Sequence, residues 1–389
     1  MAVPKLKFKE FKDEYNAYRL SDIVDFYKGN TLSKSDIKEN GKFPCILYGE
    51  LYTKYNEITE RVISYTDRND KNLFYSKIND VLIPCSGETA LDISTSTCVL
   101  QDNVIVGGDL NVLRPKVQNG KYLSYLLSNK KRLVIAKYAQ GDSIVHLYGE
   151  KIKNININLP TFAEQEKVSN LLELLNKKIE LQQKQIEALK IYKKGLIQKL
   201  INQKNCPERS VSEFGTVITG TTPSKLNSTY WNNGNIVWVT PSDITESKDI
   251  YTSYNMLTVD GVKAGRFIPA GSILVTCIAS IGKNAILKVN GSCNQQINAI
   301  IPNKNFNTDY LYYLFEMNKY YLQSIAGTSA TSIINKSSFE NLVFRVPNIE
   351  QQNIVSKILN CLEHKIENEK FKSKNLNLFK KSLLQQMFI

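Results

Sequence analysis

Histidine and tryptophan are scarce in this 389-residue chain, with two of each. His146 and His364 have no companions in sequence from which a His-based triad or a His metal cluster could be built, so both are expected in bland surface or packing roles. The seven cysteines, at positions 45, 85, 98, 206, 277, 293 and 361, are odd in number and never spaced as Cys-x-x-Cys. That argues against a disulfide framework and a zinc site, and the cysteines read as reduced, mostly buried small residues. No apolar run approaches the roughly 18 residues of a membrane-spanning helix. Met1-Ala-Val-Pro-Lys-Leu-Lys-Phe-Lys-Glu10 carries charge where a signal peptide needs an apolar stretch. A cytoplasmic protein with no membrane partner is expected. Gly282-Lys283-Asn284 lacks the upstream glycine and the Ser/Thr of a phosphate-binding loop.

What is present begins with charge. Fifty Lys and Arg against 37 Asp and Glu give a net charge of +13. Residues 1–160 hold 23 basic and 19 acidic side chains, 161–202 hold 8 and 5, 203–347 hold 12 and 9, and 348–389 hold 7 and 4. The excess is spread evenly, which excludes a basic tail and suits two moderately basic lobes sharing one long polyanion, with nucleic acid the obvious candidate. An apolar content of 42% is ample for packed cores, and the length suggests two or three domains.

The chain also repeats itself. Pro160 is followed 187 residues later by Pro347, and 14 of the 42 pairs from Pro160 to Ile201 are identical in the second copy. A repeat this long means two similar structural units in one polypeptide. In the first copy Val168, Leu172, Leu175, Ile179, Ile186, Leu189, Leu196 and Leu200 recur at alternating steps of four and three. In the second, Val355, Leu359, Leu362, Ile366, Leu376, Leu383 and Met387 hold the same register. This is a heptad seam, broken at equivalent places by Lys193 and Lys380. Thr161 with Glu164, and Asn348 with Gln351, have capping-box spacing directly after each proline. Two helices of about 40 residues, on the order of 60 Å each, are expected to bury their seams on one another. Antiparallel pairing is favoured because it gives a duplicated chain a pseudo-twofold axis.

The preceding segments are related more loosely. Tyr27-Lys-Gly-Asn-Thr31 lies on Ile218-Thr-Gly-Thr-Thr222, Asp80-Val-Leu-Ile-Pro-Cys85 on Ser272-Ile-Leu-Val-Thr-Cys277, and Tyr122-Leu-Ser-Tyr-Leu126 on Tyr310-Leu-Tyr-Tyr-Leu314. Short β-rich runs broken by Gly, Pro and Asn alternate with one helix per lobe, near 120–135 and 308–322. The reading is an α+β domain used twice. Gly41-Lys-Phe-Pro-Cys-Ile-Leu-Tyr-Gly-Glu-Leu-Tyr52 finds no counterpart in Tyr230-Trp-Asn-Asn-Gly-Asn-Ile-Val-Trp-Val-Thr-Pro-Ser-Asp243.

The Gly220-Thr-Thr-Pro-Ser224 opening, Tyr230-Trp231, Trp238, Thr240-Pro-Ser-Asp243, the Leu159-Pro-x-x-x-Glu-Gln165 and Val346-Pro-x-x-x-Gln-Gln352 helix entries and the Lys-Lys-x-Leu helix ends occur in order over nearly the whole chain. In this the chain resembles the specificity subunits of type I restriction-modification systems. The resemblance implies two target recognition domains, 1–160 and 203–347, each followed by a spacer helix, 161–202 and 348–389. It implies a double-stranded DNA partner with a bipartite, asymmetric target, and two methyltransferase subunits docked on an antiparallel coiled coil, with restriction subunits as further partners left open. No Asp/Asn-Pro-Pro-Tyr signature of adenine methyltransferases is present. The chain is therefore expected to be non-catalytic, with no cofactor of its own and S-adenosylmethionine on the partner subunits. A structural adaptor with two protein-binding lobes is the rival reading.

Base edges are read by polar side chains on loops, with Ser, Thr and backbone amides holding phosphates. The candidates are Asn30, Thr31, Tyr48, Glu50, Tyr52, Ser86, Gln140 and Ser143 in the first lobe. In the second they are Thr221, Thr222, Lys225, Ser280, Lys283, Asn294, Gln295, Thr328 and Ser329.

Overall fold

The computed structural model describes residues 3–141, 144–202, 205–326 and 333–389. It divides into unit 1, Met1–Gln183 with Phe371–Ile389, and unit 2, Lys184–Lys370. The long helices span Phe162–Ile201 and Ile349–Gln386. Each unit thus holds one lobe, the first half of the helix that follows that lobe, and the last half of the other helix.

The lobes share one topology. Unit 1 has a five-stranded sheet in the order Val24–Lys28, Leu110–Pro115, Val81–Pro84, Thr97–Val99, Ile58–Thr59. Unit 2 has Gly215–Thr219, Ile297–Pro302, Ile273–Thr276, Asn284–Leu287, Asp249–Ile250 in the same order. In both, only the last pairing is parallel. A second sheet places Phe43–Ile46 between antiparallel Ser64–Thr66 and parallel Ile105–Val106. In unit 2, Ile236–Val239 sits likewise between Asn255–Leu257 and Gly291–Cys293. The register makes Ile46 the equivalent of Val239, and Leu47-Tyr-Gly-Glu50 the equivalent of Thr240-Pro-Ser-Asp243. Each turn is closed by its fourth residue: Glu50 accepts from the Leu47 amide at 3.0 Å, and Asp243 from the Thr240 amide at 2.8 Å. The expected lack of a counterpart for residues 41–52 is therefore corrected. A carboxylate reaching back three residues is kept in geometry while the letters differ.

The two lobe helices are broken where unbroken ones are expected. Gly120–Tyr125 runs into a wider turn at Leu126–Lys130, and Thr308–Met317 stops at Asn318 before Lys319–Ile325. Both begin on an asparagine cap: Asn119 and Asn307 each accept from the backbone amide three residues on. The shared glutamine of the helix entries locks lobe to rod. Gln165 accepts from the Asn119 amide at 3.0 Å and donates to Pro160 O at 3.0 Å, and Gln352 accepts from the Asn307 amide at 2.8 Å and donates to Pro347 O at 2.8 Å. Glu164 departs from the expected capping box. It accepts from Tyr15 Oη at 3.0 Å and pairs with Lys7 at 3.3 Å.

All fifteen seam residues are buried or half-buried, as are Gln182, Lys193, Glu369, Ser373 and Lys380 between them. In unit 1, Val168, Leu172 and Leu175 share a core with Leu383 and Met387. In unit 2, Ile197 and Ile201 share one with Val355 and Leu359. The start of each helix meets the end of the other, so the pairing is antiparallel. Five of the seven cysteines are buried and all are free. Burial pushes the Cys98, Cys277 and Cys293 thiols up to about 12, which keeps them protonated and unreactive.

Candidate nucleic-acid interface

The polar cleft of unit 2 is built on one close backbone approach. Gly220 donates to Ile297 O and Thr221 to Cys293 O, both at 2.9 Å, so the loop lies against the end of strand Gly291–Cys293. A Cβ on Gly220 would stand 2.1 Å from Asn294 O, and only glycine fits. The loop is then pinned by indoles. Trp238 Nε1 donates to Thr221 O at 3.0 Å, Trp231 Nε1 donates to Ser224 O at 3.0 Å, and the two rings meet edge to face at 4.9 Å. The two tryptophans thus hold the backbone of Gly220-Thr-Thr-Pro-Ser224 in shape.

That frame opens a cleft of about 790 Å³ lined by Thr222, Lys225, Ser280, Lys283, Asn294 and Gln295, six of the nine candidates of the second lobe. Gln295 and Ser280 are exposed, Lys283 is half-buried, and Thr222 Oγ1 donates to Gln295 Oε1. Asn294 is buried, and its amide donates to Gln296 Oε1 at 2.9 Å. Thr221 sits beneath the rim with its hydroxyl buried and without a hydrogen-bond partner among the described residues. Thr328 and Ser329 lie outside the described residues. Thr240, Ser242, Asn255 and Gln296 also line the cleft, and sequence reasoning misses them as candidates. The strand register, which brings Asn255 beside Trp238, is the signal that finds them.

Unit 1 repeats the frame with other side chains. Gly29 donates to Leu110 O at 2.9 Å and Asn30 to Val106 O at 3.1 Å, and a Cβ on Gly29 would stand 2.0 Å from Gly107 O. Asn30 and Thr31 therefore stand where Thr221 and Thr222 stand. Gly107-Gly-Asp109 replaces Asn294-Gln-Gln296. No tryptophan pins this loop. Asn30 Nδ2 donates to Asn72 O at 2.7 Å, and Arg68 Nη1 to Thr31 O at 2.9 Å. Tyr48 and Gln140 are exposed and Tyr52 is half-buried. Glu50 is buried, bonding Leu47 N, Lys54 and Ser64, and Ser86 is buried against His146 Nδ1 at 3.0 Å. The carboxylate of Glu50 and the hydroxyl of Ser86 are thus engaged within the lobe. Ser143 lies outside the described residues.

Among the described residues no three His, Cys, Asp or Glu side chains gather as a metal-binding group, and no helix is long and apolar enough to cross a membrane. The geometry defines a duplicated α+β protein in which one backbone frame, used twice, carries two different sets of polar side chains. The chain belongs to the type I restriction modification DNA specificity family, whose model matches residues 12–190 and 203–378. It is 32% identical over 192 residues to the type I restriction enzyme MjaIX specificity subunit of Methanocaldococcus jannaschii, covering 48% of this chain and 44% of that protein. The chain thus spans less than half the length of that relative. With the MjaVIII specificity subunit of the same organism it shares 22% identity over 413 residues, covering 96% of this chain and 91% of the relative. The crystal structure of the type I restriction-modification S subunit from M. genitalium has the same fold, with a TM-score of 0.65 at 15% identity over 100% of this chain and 99% of that one.

Proposed function

We propose that this chain is the non-catalytic, DNA-reading subunit of a type I restriction-modification complex, with each lobe reading one part of a bipartite, asymmetric target. The observation that carries the reading is the shared frame with exchanged side chains. Gly29 and Gly220 hold the same loop against the same strand end, while unit 2 has Thr222 and Gln295 at the positions equivalent to Thr31 and Gly108 of unit 1. One scaffold with two polar surfaces suits two half-sites of different sequence. The helices also keep large apolar groups on their outer faces: Leu174, Leu181, Phe371 and Leu378 in unit 1, and Ile191, Tyr192 and Ile354 in unit 2. Such exposed groups suit partner helices, which on this reading belong to methyltransferase subunits that carry S-adenosylmethionine.

The test is a map of N6-methyladenine in cells that express the chain with its methyltransferase. The expected motif has two half-sites and a fixed spacer, and Thr222→Ala with Gln295→Ala relaxes bases in one half only, by about 1–3 kcal/mol for each bidentate pair removed. A single undivided motif, or a double variant that leaves both halves unchanged, sinks the reading.

A further inference from the structure

Beside the reading cleft of unit 2 lies a second one of about 700 Å³, between the lobe and the two helices. Six lysines line it against three glutamates. Lys190 and Lys370 lie 3.9 and 3.5 Å from Glu246, which is itself 80% exposed, so these pairs are weak. Lys193 is paired with Glu363. Lys194, Lys283 and Lys319 have no ion pair among the described residues, and each is exposed or half-buried. On the cleft floor Asn284, 3% exposed, donates to Glu316 at 2.9 Å, while its carbonyl oxygen has no partner among the described residues.

The lysines are brought together by backbone. Gly282, at φ 83°, packs on the Lys319 main chain, where a Cβ would stand 3.1 Å from Lys319 O. This fixes Lys283 beside Lys319. Lys283 lines both clefts, so the lysine cleft continues the surface that carries Lys225 and Gln295. Unit 1 is built differently at these places. Ser96, Ser124 and Ser128 stand for Asn284, Tyr312 and Glu316 and close on one another, with Ser96 Oγ 2.8 Å from Ser128 Oγ and donating to Ser124 O at 3.0 Å. The repeat puts Asn377 and Gln183 where unit 2 has Lys190 and Lys370.

We infer that this cleft holds the phosphate backbone of the DNA strand leaving the reading cleft of unit 2, with Lys194, Lys283 and Lys319 as the contacts. The inference rests on the proposed DNA reading. Lysine heads on flexible stems are point charges indifferent to base sequence, which suits backbone holding, and continuity through Lys283 favours a ligand already in the reading cleft over an acidic peptide. The test uses the chain assembled with its methyltransferase and measures affinity for a target duplex and a scrambled duplex across a salt series. For Lys194→Gln with Lys319→Gln, the slope of log K against log salt becomes shallower by about 2, near 0.9 per phosphate released, and affinity near physiological salt falls by on the order of ten-fold on both duplexes. The ratio of target to scrambled affinity stays unchanged. An unchanged slope, an equal change from Lys304→Gln with Lys336→Gln outside the cleft, or a selective weakening on the target duplex overturns the inference. Failure of the DNA reading itself shows separately, as a wild-type complex that does not distinguish the two duplexes.

Discussion

The feet of the two lobes, where each meets its helices, solve the same electrostatic problem with opposite charges. In unit 1 Glu57 receives Lys380 at 3.1 Å, Lys121 pairs with Glu173 at 2.5 Å, and Asn176 donates to Tyr125 Oη at 2.9 Å. In unit 2 the register puts Lys248 at the place of Glu57, Asp309 at that of Lys121, Asn360 at that of Glu173 and Glu363 at that of Asn176. There Lys248 pairs with Asp309 and donates to Asn360 at 2.8 Å, while Lys193 pairs with Glu363. One lysine near the end of each helix is common to both: Lys380 lies 6.0 Å from the Tyr125 ring centre and Lys193 lies 5.9 Å from that of Tyr313. Each set carries as many cations as anions. Partly buried charges must be matched locally, so a reversal at one position forces reversals around it.

The sharpest way to break this comparison is to give one foot a single charge from the other. Lys248 is 7% exposed. In Lys248→Glu a carboxylate faces Asp309 and Asn360 while Lys193, the one cation left in the set, is already held by Glu363, and unit 2 is expected to be destabilised by about 3–5 kcal/mol, read as a lower thermal midpoint of the assembled chain. Adding Asp309→Lys places a cation where unit 1 has Lys121, beside the new carboxylate, and is expected to recover a large part of that stability. A single variant as stable as wild type, or a double no better than the single, breaks the idea of matched sets.

Next in size is the backbone approach that both lobes share. An alanine at Gly220 must displace the Asn294 carbonyl, 2.1 Å from its Cβ, and one at Gly29 the Gly107 carbonyl, 2.0 Å away. Each is expected to cost about 1–3 kcal/mol through forced backbone shifts. On the proposed reading, each should degrade only its own half of the methylation motif. Loss of both halves from either variant would show that the lobes are not independent readers.

Much of this molecule is legible in its sequence where a period or a spacing is imposed by backbone geometry. The 3.5-residue seam gives the helix pair, and Gly29 and Gly220 with their following polar residues give both loops, because a Cβ is excluded at each. What escapes has no local signature. Lys380 and Glu57 are 323 residues apart, and the charge reversal is visible only once strand register equates Glu57 with Lys248. The turns ending in Glu50 and Asp243 share one hydrogen bond and no identical residue. Burial likewise separates Glu50, Ser86 and Asn294 from neighbours of similar polarity.

The smallest expected effect distinguishes how each loop is held. Unit 2 fixes Thr221 and Ser224 with indole N–H groups, whereas unit 1 fixes Thr31 with a guanidinium that also pairs with Asp70 at 2.5 Å and Asp36 at 3.5 Å. Trp231→Phe keeps an aromatic edge against Trp238 but leaves Ser224 O without its donor, a change of about 1 kcal/mol for one net hydrogen bond. Arg68→Lys keeps the charge but gives up the planar fork that reaches Thr31 O and both carboxylates together. Neither variant replaces a polar side chain of the proposed reading surface, so on the proposed reading stability should move little while each half-site becomes more tolerant: the half assigned to unit 2 for Trp231→Phe and that assigned to unit 1 for Arg68→Lys. Methylation maps of the two variants check this directly. If both leave the motif as sharp as in wild type, the loops are held by the glycine approach alone, and the tryptophan pair of unit 2 serves only to pack.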